Sequence, residues 1–187
     1  MEVTKKDLER ATRFIQNYGM NKEELLAQIE GQLTATIKVK KLFKDAQLPL
    51  VATDGSAGAD LRAYLYDETT DEKVTKIVVQ PNQEVKIHTG LCFQLPAGTV
   101  MLLLPRSSTG IKKNLILKNT IGLLDCDYTG ECLIFLKNVG DTSVEIEQGE
   151  RLVQALIVPY VKPNFIEVGE LNETERGIMG FGSTGKR

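Results

Sequence analysis

Apolar side chains in the first 31 residues recur at the three-to-four-residue spacing of an amphipathic helix. One such set falls on a single helical face: Leu8, Ala11, Ile15 and Tyr18. Gly19 can end this helix in the left-handed conformation, and Gly31 closes a second, shorter helix. We expect a helical pair that docks on the main domain or on a neighbouring subunit.

From residue 34 onward, helical spacing gives way to alternation of apolar and polar positions. Candidate strand runs cover residues 36–40, 76–79, 84–87, 100–104 and 144–146. Prolines and many Gly, Asn and Asp residues stand between the runs and mark turns. Many short strands separated by turn signals predict a β-sandwich, a jelly roll or a barrel.

The longest candidate strand pair flanks a turn rich in Asp and Gly. Residues 115–124 lead into this turn, and residues 132–136 lead out of it. Asp127 and Gly130 are both favourable turn residues. The pattern therefore predicts a β-hairpin.

Composition limits the function classes. The chain has 187 residues, of which 42% are hydrophobic and 26% charged, as expected for one compact domain. A net charge of −2 argues against a general nucleic-acid-binding surface, and no segment approaches the roughly 20 apolar residues that span a bilayer. The charged start lacks a signal peptide, and Cys92, Cys126 and Cys132 lack metal-ligand spacing. We expect reduced cysteines and a cytoplasmic protein, in the host cytoplasm if the source is a virus.

Two clusters place a charged side chain beside turn residues. Residues 57–63 read AGADLRA, where Asp60 either stabilises a turn or serves a functional site. Residues 105–110 read PRSSTG, where Arg106 precedes three hydroxyl side chains. An arginine with hydroxyls ahead of a glycine indicates an oxyanion pocket or, equally, a hydroxyl-rich turn.

Two further clusters follow along the chain. Residues 122–131 read GLLDCDYTGE, where Asp125 can hold and polarise a water and Tyr128 can lie flat against a sugar or base. The alternative is a pair of turn aspartates with a packed tyrosine. Residues 149–155 read GERLVQA, which predicts a turn entering a buried strand, with Arg151 in a structural ion pair.

The chain ends in a glycine-rich stretch, RGIMGFGSTGKR, over residues 176–187. Such a stretch lets backbone N–H groups surround phosphate oxygens, and Arg176, Ser183 and Thr184 add further donors. Phe181 offers a flat apolar face to a base. The stretch is either a phosphate clamp or a frayed terminus. It lacks the spacing of a Walker loop.

Taken in order, these motifs closely resemble the five motifs of the homotrimeric dUTPase family: AGADLRA, PRSSTG, GLLDCDYTGE, GERLVQA and RGIMGFGSTG. The resemblance implies a mainly β fold, a distorted jelly-roll β-barrel, in a homotrimer whose active sites each take residues from all three subunits. It divides the chain into an N-terminal helical extension (1–33), a dUTPase-like β domain (34–170) and a flexible C-terminal arm (171–187). The arm would close over the site as a lid.

The resemblance implies Mg²⁺-dependent hydrolysis of dUTP to dUMP and pyrophosphate, by attack of water on the α-phosphorus. This activity of a dUTP diphosphatase keeps uracil out of DNA and supplies dUMP for dTMP synthesis. Asp125 matches the catalytic residue that orients and activates water. Asp60 matches the residue that holds Mg²⁺ through a coordinated water, so a carboxylate cluster is not expected.

The resemblance also carries over a set of substrate-binding residues. They are Arg106, Ser107, Ser108, Asn119, Leu123, Leu124, Tyr128, Leu133, Gln154, Arg176, Phe181, Gly182, Ser183 and Thr184. By family analogy, Tyr128 packs on the deoxyribose and the backbone from Leu123 to Leu133 reads uracil. Ser108 stands where the family often has Gly.

Two alternatives remain open from the sequence. dCTP deaminase shares this fold and resembles the chain around the same turn, but Phe135 stands where that family has its catalytic Glu. The second alternative is a regulatory protein that binds a protein partner through the N-terminal helices, which otherwise would brace the trimer. Neither a membrane nor a nucleic acid is an expected partner.

Overall fold

The computed structural model describes Thr12, Glu23 and residues 35–70, 72–174 and 177–178. The predicted N-terminal extension, residues 1–33, lies outside the described residues except for Thr12 and Glu23, which both have helical backbone geometry. The predicted arm is described only at residues 171–174 and 177–178. The two boundaries of the predicted organisation, after residue 33 and after residue 170, therefore stay predictions. No helix among the described residues is long and apolar enough to cross a membrane.

The described residues form thirteen strands, and each of the five runs picked out in the sequence overlaps one of them. The strands are β1 (Lys38–Lys41), β2 (Leu50–Val51), β3 (Ala59–Arg62), β4 (Tyr66–Asp67), β5 (Glu72–Lys73), β6 (Lys76–Val79), β7 (Glu84–Gln94), β8 (Thr99–Pro105), β9 (Leu115–Leu117), β10 (Gly122–Leu124), β11 (Glu131–Asn138), β12 (Val144–Glu147) and β13 (Arg151–Pro159). One π-helical turn, Ser108–Lys112, follows β8. The prediction of a mainly β protein is confirmed.

Two antiparallel sheets enclose one core. The first has the order β1-β7-β11-β9, and the second has the order β10-β8-β13-β3-β2. Fully buried side chains from both sheets belong to a single cluster, among them Leu61, Ile87, Leu103, Ile134 and Leu152. Two smaller pairs, β12-β6 and β4-β5, complete the fold. Neighbouring strands that are distant in sequence, packed around one core, make this a jelly-roll-like sandwich.

The hairpin predicted around residues 125–130 is wrong. β10 pairs with β8, whereas β11 pairs with β7 and β9, so the intervening loop crosses from one sheet to the other. The predicted incoming strand is also broken between β9 and β10. Thr120 has a φ of 63°, in the left-handed region, which turns the chain out of the first sheet and into the second. Turn residues predict a change of direction but not which strand the chain joins next.

Asn138 is a buried polar residue at the end of β11. Its Nδ2 donates to the Val79 carbonyl at 3.0 Å and to the Thr142 carbonyl at 2.8 Å. Its Oδ1 accepts from the Gly140 N–H at 2.9 Å. The side chain therefore joins the end of β6 to the loop that follows β11, and it satisfies three backbone groups at once.

We expect Asn138→Ala to lower the free energy of unfolding by about 2–3 kcal/mol, because three buried backbone groups lose their partner. Urea denaturation at a fixed protein concentration measures this change. Asn172→Ala, at an exposed position, is the matched control and should leave the midpoint unchanged. Equal midpoints for the two variants would contradict the assigned role.

The three cysteines are free and differ in burial. Cys92 and Cys132 are buried, and Cys126 is half-buried. Burial raises the pKa of the Cys132 thiol to about 12, with a smaller contribution from the neighbouring Glu131 carboxylate. Since the thiolate is the reactive form, Cys132 is unreactive at neutral pH.

An aromatic disulfide reagent at pH 8 should therefore modify Cys126 first in the folded protein, and Cys132 only after unfolding. Absorbance of the released thiol, with mass spectrometry to locate the label, measures the order of reaction. Cys126→Ser should lack the fast phase. A fast phase that includes Cys132 would contradict its assigned burial.

Candidate active site

Three of the sequence motifs meet at one end of the five-stranded sheet. β3 carries Asp60, β8 ends immediately before Arg106, and β13 carries Arg151 and Gln154. β13 lies between β3 and β8, and its register sets Gln154 opposite both Asp60 and Leu104. Antiparallel pairing thus brings together residues that are up to 94 positions apart in sequence.

Asp60 is a buried carboxylate held between two arginines. Its side chain is 9% exposed, Oδ1 lies 2.8 Å from Arg106 Nε, and Oδ2 lies 3.0 Å from Arg151 Nη1. A buried carboxylate is costly unless it is paired and hydrogen-bonded, and these two contacts satisfy both oxygens. Asp60 therefore sits in a strand as an ion-pair centre, and the alternative of a turn-stabilising aspartate is wrong. The predicted ion pair of Arg151 is confirmed.

The two arginines leave this cluster with an excess of positive charge. Arg106 Nη1 donates to the Arg151 carbonyl at 3.1 Å and to Ser108 Oγ at 3.4 Å. The contact with Asp60 uses Arg106 Nε, and these two bonds use Nη1. No described residue contacts Nη2. A fixed guanidinium with a free N–H edge suits a phosphate oxygen.

The segment after β8 folds back against β13. Thr109 is buried, and its Oγ1 donates to the Leu152 carbonyl at 2.8 Å. The Arg106 carbonyl accepts from the N–H groups of Thr109 and Gly110 at 3.0 and 3.1 Å. These bonds form a compact turn in which Ser107 is exposed and Ser108 half-buried. The sequence predicted either an oxyanion pocket or a hydroxyl-rich turn for this segment. The segment is a hydroxyl-rich turn, and its accessible hydroxyls remain compatible with an oxyanion pocket.

Gln154 and Gly58 fit closely against each other. A Cβ added to Gly58 would lie 3.0 Å from Gln154 Oε1 and 3.2 Å from Gln154 Cβ. Gln154 Nε2 lies 3.5 Å from the Pro105 carbonyl, at the limit of a hydrogen bond. Gly58 therefore gives the Gln154 amide room beside Asp60 and Arg106.

The described residues include no group of three or more His, Cys, Asp or Glu side chains that could hold a metal ion. Each Asp60 oxygen already accepts from an arginine, so a direct metal bond would set a divalent cation against two guanidiniums. Each oxygen retains a second lone pair that can accept from a metal-bound water. The donor set therefore fits Mg²⁺ held through water, since this ion commonly keeps several of its waters.

Asp125 and Tyr128 lie in the exposed loop that joins β10 to β11. The Asp125 carbonyl accepts from the Tyr128 N–H at 3.1 Å, and the Tyr128 hydroxyl donates to the Glu131 carbonyl at 3.1 Å. A Cβ on Gly130 would lie 2.5 Å from the Tyr128 hydroxyl. The tyrosine thus lies across Gly130 with one face toward solvent, while the Asp125 carboxylate is exposed.

The predicted base-binding residues surround the same loop. Asn119 is in the exposed turn before β10, where its carbonyl accepts from the Ile121 N–H at 2.6 Å. Leu123 is 59% exposed, although the adjacent Leu124 is buried. Leu133 is half-buried on β11. An exposed leucine at a sheet edge beside an exposed tyrosine offers an apolar surface with backbone groups close by.

The cluster around Asp60 and Arg106 and the loop that carries Asp125 lie at opposite ends of the sheet in one chain. β10 runs antiparallel to β8 and pairs Leu124 with Met101, so Asp125 lies beside the first residues of β8. Arg106 lies beyond the last residue of β8. Arg106 is five positions after Met101, which corresponds to about 17 Å at roughly 3.3 Å per residue. One chain therefore does not bring its own Asp125 and Arg106 together.

Tyr160 is a neighbour of this loop that the sequence did not single out. Its hydroxyl lies 3.9 Å from Cys126 Sγ. The hydrogen bond with Cys126 raises the pKa of Tyr160, and the Asp125 and Asp127 carboxylates contribute in the same direction. Tyr160 follows the end of β13, so only the strand register places it near the loop.

Five predicted site residues lie outside the described residues: Arg176, Phe181, Gly182, Ser183 and Thr184. The predicted contacts of the arm with phosphate and base therefore stay predictions.

Comparison with known proteins accords with this geometry. The family model described as dUTPase matches residues 44–185. Deoxyuridine 5′-triphosphate nucleotidohydrolase of Hydrogenobaculum sp. is 40% identical over 149 residues, which are 80% of this chain and 97% of that protein. The Acinetobacter baumannii protein of the same name is 43% identical over 148 residues, which are 79% and 93% of the two chains.

The fold is also similar to a solved dUTPase. The structure of the Staphylococcus bacteriophage 80alpha dUTPase with dUPNHPP aligns with a TM-score of 0.69 and 30% identity, over 81% of this chain and 99% of that one. The expected dUTPase-like jelly-roll fold is therefore confirmed. The matched family model and the similarity over most of the length of these relatives lead to one conclusion: the chain belongs to the dUTPase family.

Proposed function

We propose that the chain is a dUTP diphosphatase, which hydrolyses dUTP to dUMP and pyrophosphate. The main support is the cluster of Asp60, Arg106 and Gln154 gathered by the register of the five-stranded sheet. The bacterial relatives carry the name deoxyuridine 5′-triphosphate nucleotidohydrolase, and the phage relative was solved with dUPNHPP. The reaction keeps uracil out of DNA and supplies dUMP for dTMP synthesis.

The phosphate chain of dUTP binds at the Asp60 end of the sheet in this proposal. Arg106 presents its free N–H edge, Ser107 and Ser108 add donors, and Gln154 lies beside the α-phosphate. Asp60 holds both arginines in place and accepts from water bound to Mg²⁺. When bound, Mg²⁺ would neutralise charge on the phosphate oxygens. Fixed cations aimed at a developing charge supply much of the acceleration in such reactions.

The nucleoside binds at the loop between β10 and β11. Asp125 orients a water and takes up its proton as the water attacks the α-phosphorus. The face of the Tyr128 ring packs on the deoxyribose and leaves no space for a 2′-hydroxyl. Both side chains are exposed in a single chain, as a substrate-contacting surface requires.

Uracil is recognised by backbone groups from Leu123 to Leu133, with Asn119 beside them. Fixed donors and acceptors complement the edge of uracil, whereas the amino group of cytosine would leave them unpaired. Such a mismatch discriminates by roughly 10⁴-fold. The methyl group of thymine is rejected by steric exclusion.

We propose that a complete site requires a homotrimer. The Asp125 and Arg106 ends are about 17 Å apart along β8, so another copy must supply one of them. Exposed apolar side chains outside the two ends support assembly, among them Ile111, Phe165, Ile166 and Leu171. The arm would then complete the site through Arg176, Phe181, Gly182, Ser183 and Thr184.

Three further expectations belong to this proposal. The protein acts in the cytoplasm. The N-terminal extension, residues 1–33, braces the trimer or binds a protein partner, and it lies outside the described residues. Deamination of dCTP is disfavoured because Phe135 provides no proton-transferring group on β11.

The direct test is release of pyrophosphate from dUTP, dTTP, dCTP and UTP, with Mg²⁺ and with a chelator. We expect cleavage of dUTP alone, at least about 10⁴-fold faster than that of dCTP, and strong stimulation by Mg²⁺. Undiminished activity in chelator would contradict the role of Mg²⁺. Ammonia release from dCTP would favour the deaminase, and a folded but inactive protein would favour a regulatory role.

Asp125→Asn should retain the fold and bind dUTP, yet lose about 10²–10⁴-fold in kcat, because the amide cannot accept the proton of the water. Asp127→Asn is the matched control, since Asp127 lies exposed in the same loop. Single-turnover kinetics and equilibrium binding separate the chemical step from affinity. Wild-type kcat in the Asp125 variant would refute its assignment as the catalytic residue.

A further inference from the structure

A bulge in β7 lies directly beside the start of β11. The pairing passes from Glu131↔Cys92 to Leu133↔His88, so two steps along β11 match four along β7. Gly90 in this bulge has a φ of 68°, and a Cβ there would lie 2.9 Å from Ala46 Cβ and 3.1 Å from Phe43 Cδ2. Glycine is therefore required, both for the left-handed backbone and for space. A bulge interrupts the ladder and frees backbone groups that need other partners.

Side chains satisfy the groups that the bulge frees. Glu131 Oε1 accepts from the Gly90 N–H at 2.8 Å. Thr89 Oγ1 donates to the Cys132 carbonyl at 2.7 Å and accepts from the Leu91 N–H at 3.2 Å. The start of β11 is thus fixed to β7 by side-chain bonds where regular pairing is interrupted.

His88, the single histidine of the chain, holds the other oxygen of the same carboxylate. Its Nδ1 lies 2.8 Å from Glu131 Oε2, and its Nε2 lies 2.7 Å from Glu68 Oε1. The His88 and Glu131 side chains are only 11% and 15% exposed, so water competes weakly for these bonds. Lys86 also contacts Glu68, and the bonds with Lys86 and His88 lower the pKa of Glu68.

The backbone of Glu131 contacts the proposed sugar-binding residue. Its carbonyl accepts the hydrogen bond of the Tyr128 hydroxyl at 3.1 Å, across Gly130. The position of that carbonyl sets the direction of the tyrosine ring. Since the Glu131 side chain is held at both oxygens, the carbonyl has little freedom to move. A continuous set of contacts therefore runs from Glu68 through His88 and Glu131 to Tyr128.

We propose that Glu131, held by His88 and Gly90, is a positioning residue that orients Tyr128 and thereby sets the preference for deoxyribonucleotides over ribonucleotides. This inference rests on the proposed function, in which Tyr128 packs on the sugar. A ring fixed by its hydroxyl closes the space that a 2′-hydroxyl would occupy. A ring without that anchor rotates and admits UTP.

The readout is the ratio of kcat/KM for UTP to kcat/KM for dUTP. A change in the amount of folded enzyme changes the apparent kcat/KM for both substrates by the same factor. A purely structural role of Glu131 would therefore leave the ratio unchanged. Glu131→Ala should raise it by about fivefold, the equivalent of one lost hydrogen bond. Tyr128→Phe, which keeps the ring and loses the hydroxyl, should raise it by a similar factor. The double variant should exceed neither single variant, because Glu131→Ala frees the carbonyl that anchors the ring and Tyr128→Phe removes the hydroxyl that binds it, so both release the same anchor.

Two variants make the comparison specific. Glu131→Gln keeps an acceptor for the Gly90 N–H and should stay within about twofold of the wild-type ratio. Glu145→Ala removes an exposed carboxylate that pairs with Lys76 on another sheet, and it should leave the ratio unchanged. If Glu131→Ala does not fold, Glu131→Asp replaces it, since the shorter carboxylate cannot reach both Gly90 and His88.

The outcomes separate the inference from the function beneath it. Three results together support the inference. The wild-type enzyme cleaves dUTP and rejects UTP, Glu131→Ala and Tyr128→Phe each raise the ratio, and the double variant raises it no further than either single variant. An unchanged ratio in folded Glu131→Ala or Glu131→Asp, while Tyr128→Phe raises it, overturns the inference alone. A wild-type protein that cleaves UTP as well as dUTP overturns both.

Discussion

The register of β13 between β3 and β8 is the constraint on which the candidate site depends. It sets Gln154 opposite Asp60 on one side and Leu104 on the other, and it delivers Arg106 and Arg151 to the same carboxylate. Side chains alternate between the two faces of a strand, so a shift of one residue would move Gln154 to the opposite face. The buried residues on either side of Gln154, Val153 and Ala155, oppose such a shift because they belong to the core.

The electrostatics of the cluster follow from this arrangement. The two guanidiniums give both oxygens of the buried Asp60 carboxylate a partner. The three side chains together carry a net charge of plus one. Ion pairs of this kind contribute little net stability, because desolvation offsets the attraction. Their consequence here is geometric: they hold Arg106 with Nε occupied and with an N–H edge that no other described residue contacts. A site for a triphosphate needs such an oriented cation more than it needs a larger charge.

The same sheet keeps the two halves of the proposed site apart within one chain. Antiparallel pairing of β10 with β8 directs the Asp125 loop away from Arg106, which lies about 17 Å further along β8. In the proposed trimer, assembly is then part of catalysis rather than a source of stability alone. The bulge in β7 has a comparable role at smaller scale, since it interrupts pairing beside the loop and so aims the Glu131 carbonyl at Tyr128.

The sequence by itself determined the β character, the motif order and the residue types at the site. Alternation identified strands such as β1 and β12 because apolar and polar side chains alternate along a half-buried strand, and family resemblance supplied roles for Asp60, Arg106 and Asp125. Local signals did not determine partners: the turn at residues 125–130 suggested a hairpin, but the loop joins two sheets. His88 and Tyr160 gave no signal of a site, and Glu131 stood in the third motif without a role, because the residues that they contact are distant in sequence. Strand pairing and core burial are long-range interactions, so only the tertiary structure decided which carboxylate meets which arginine, and which end of the sheet each motif occupies.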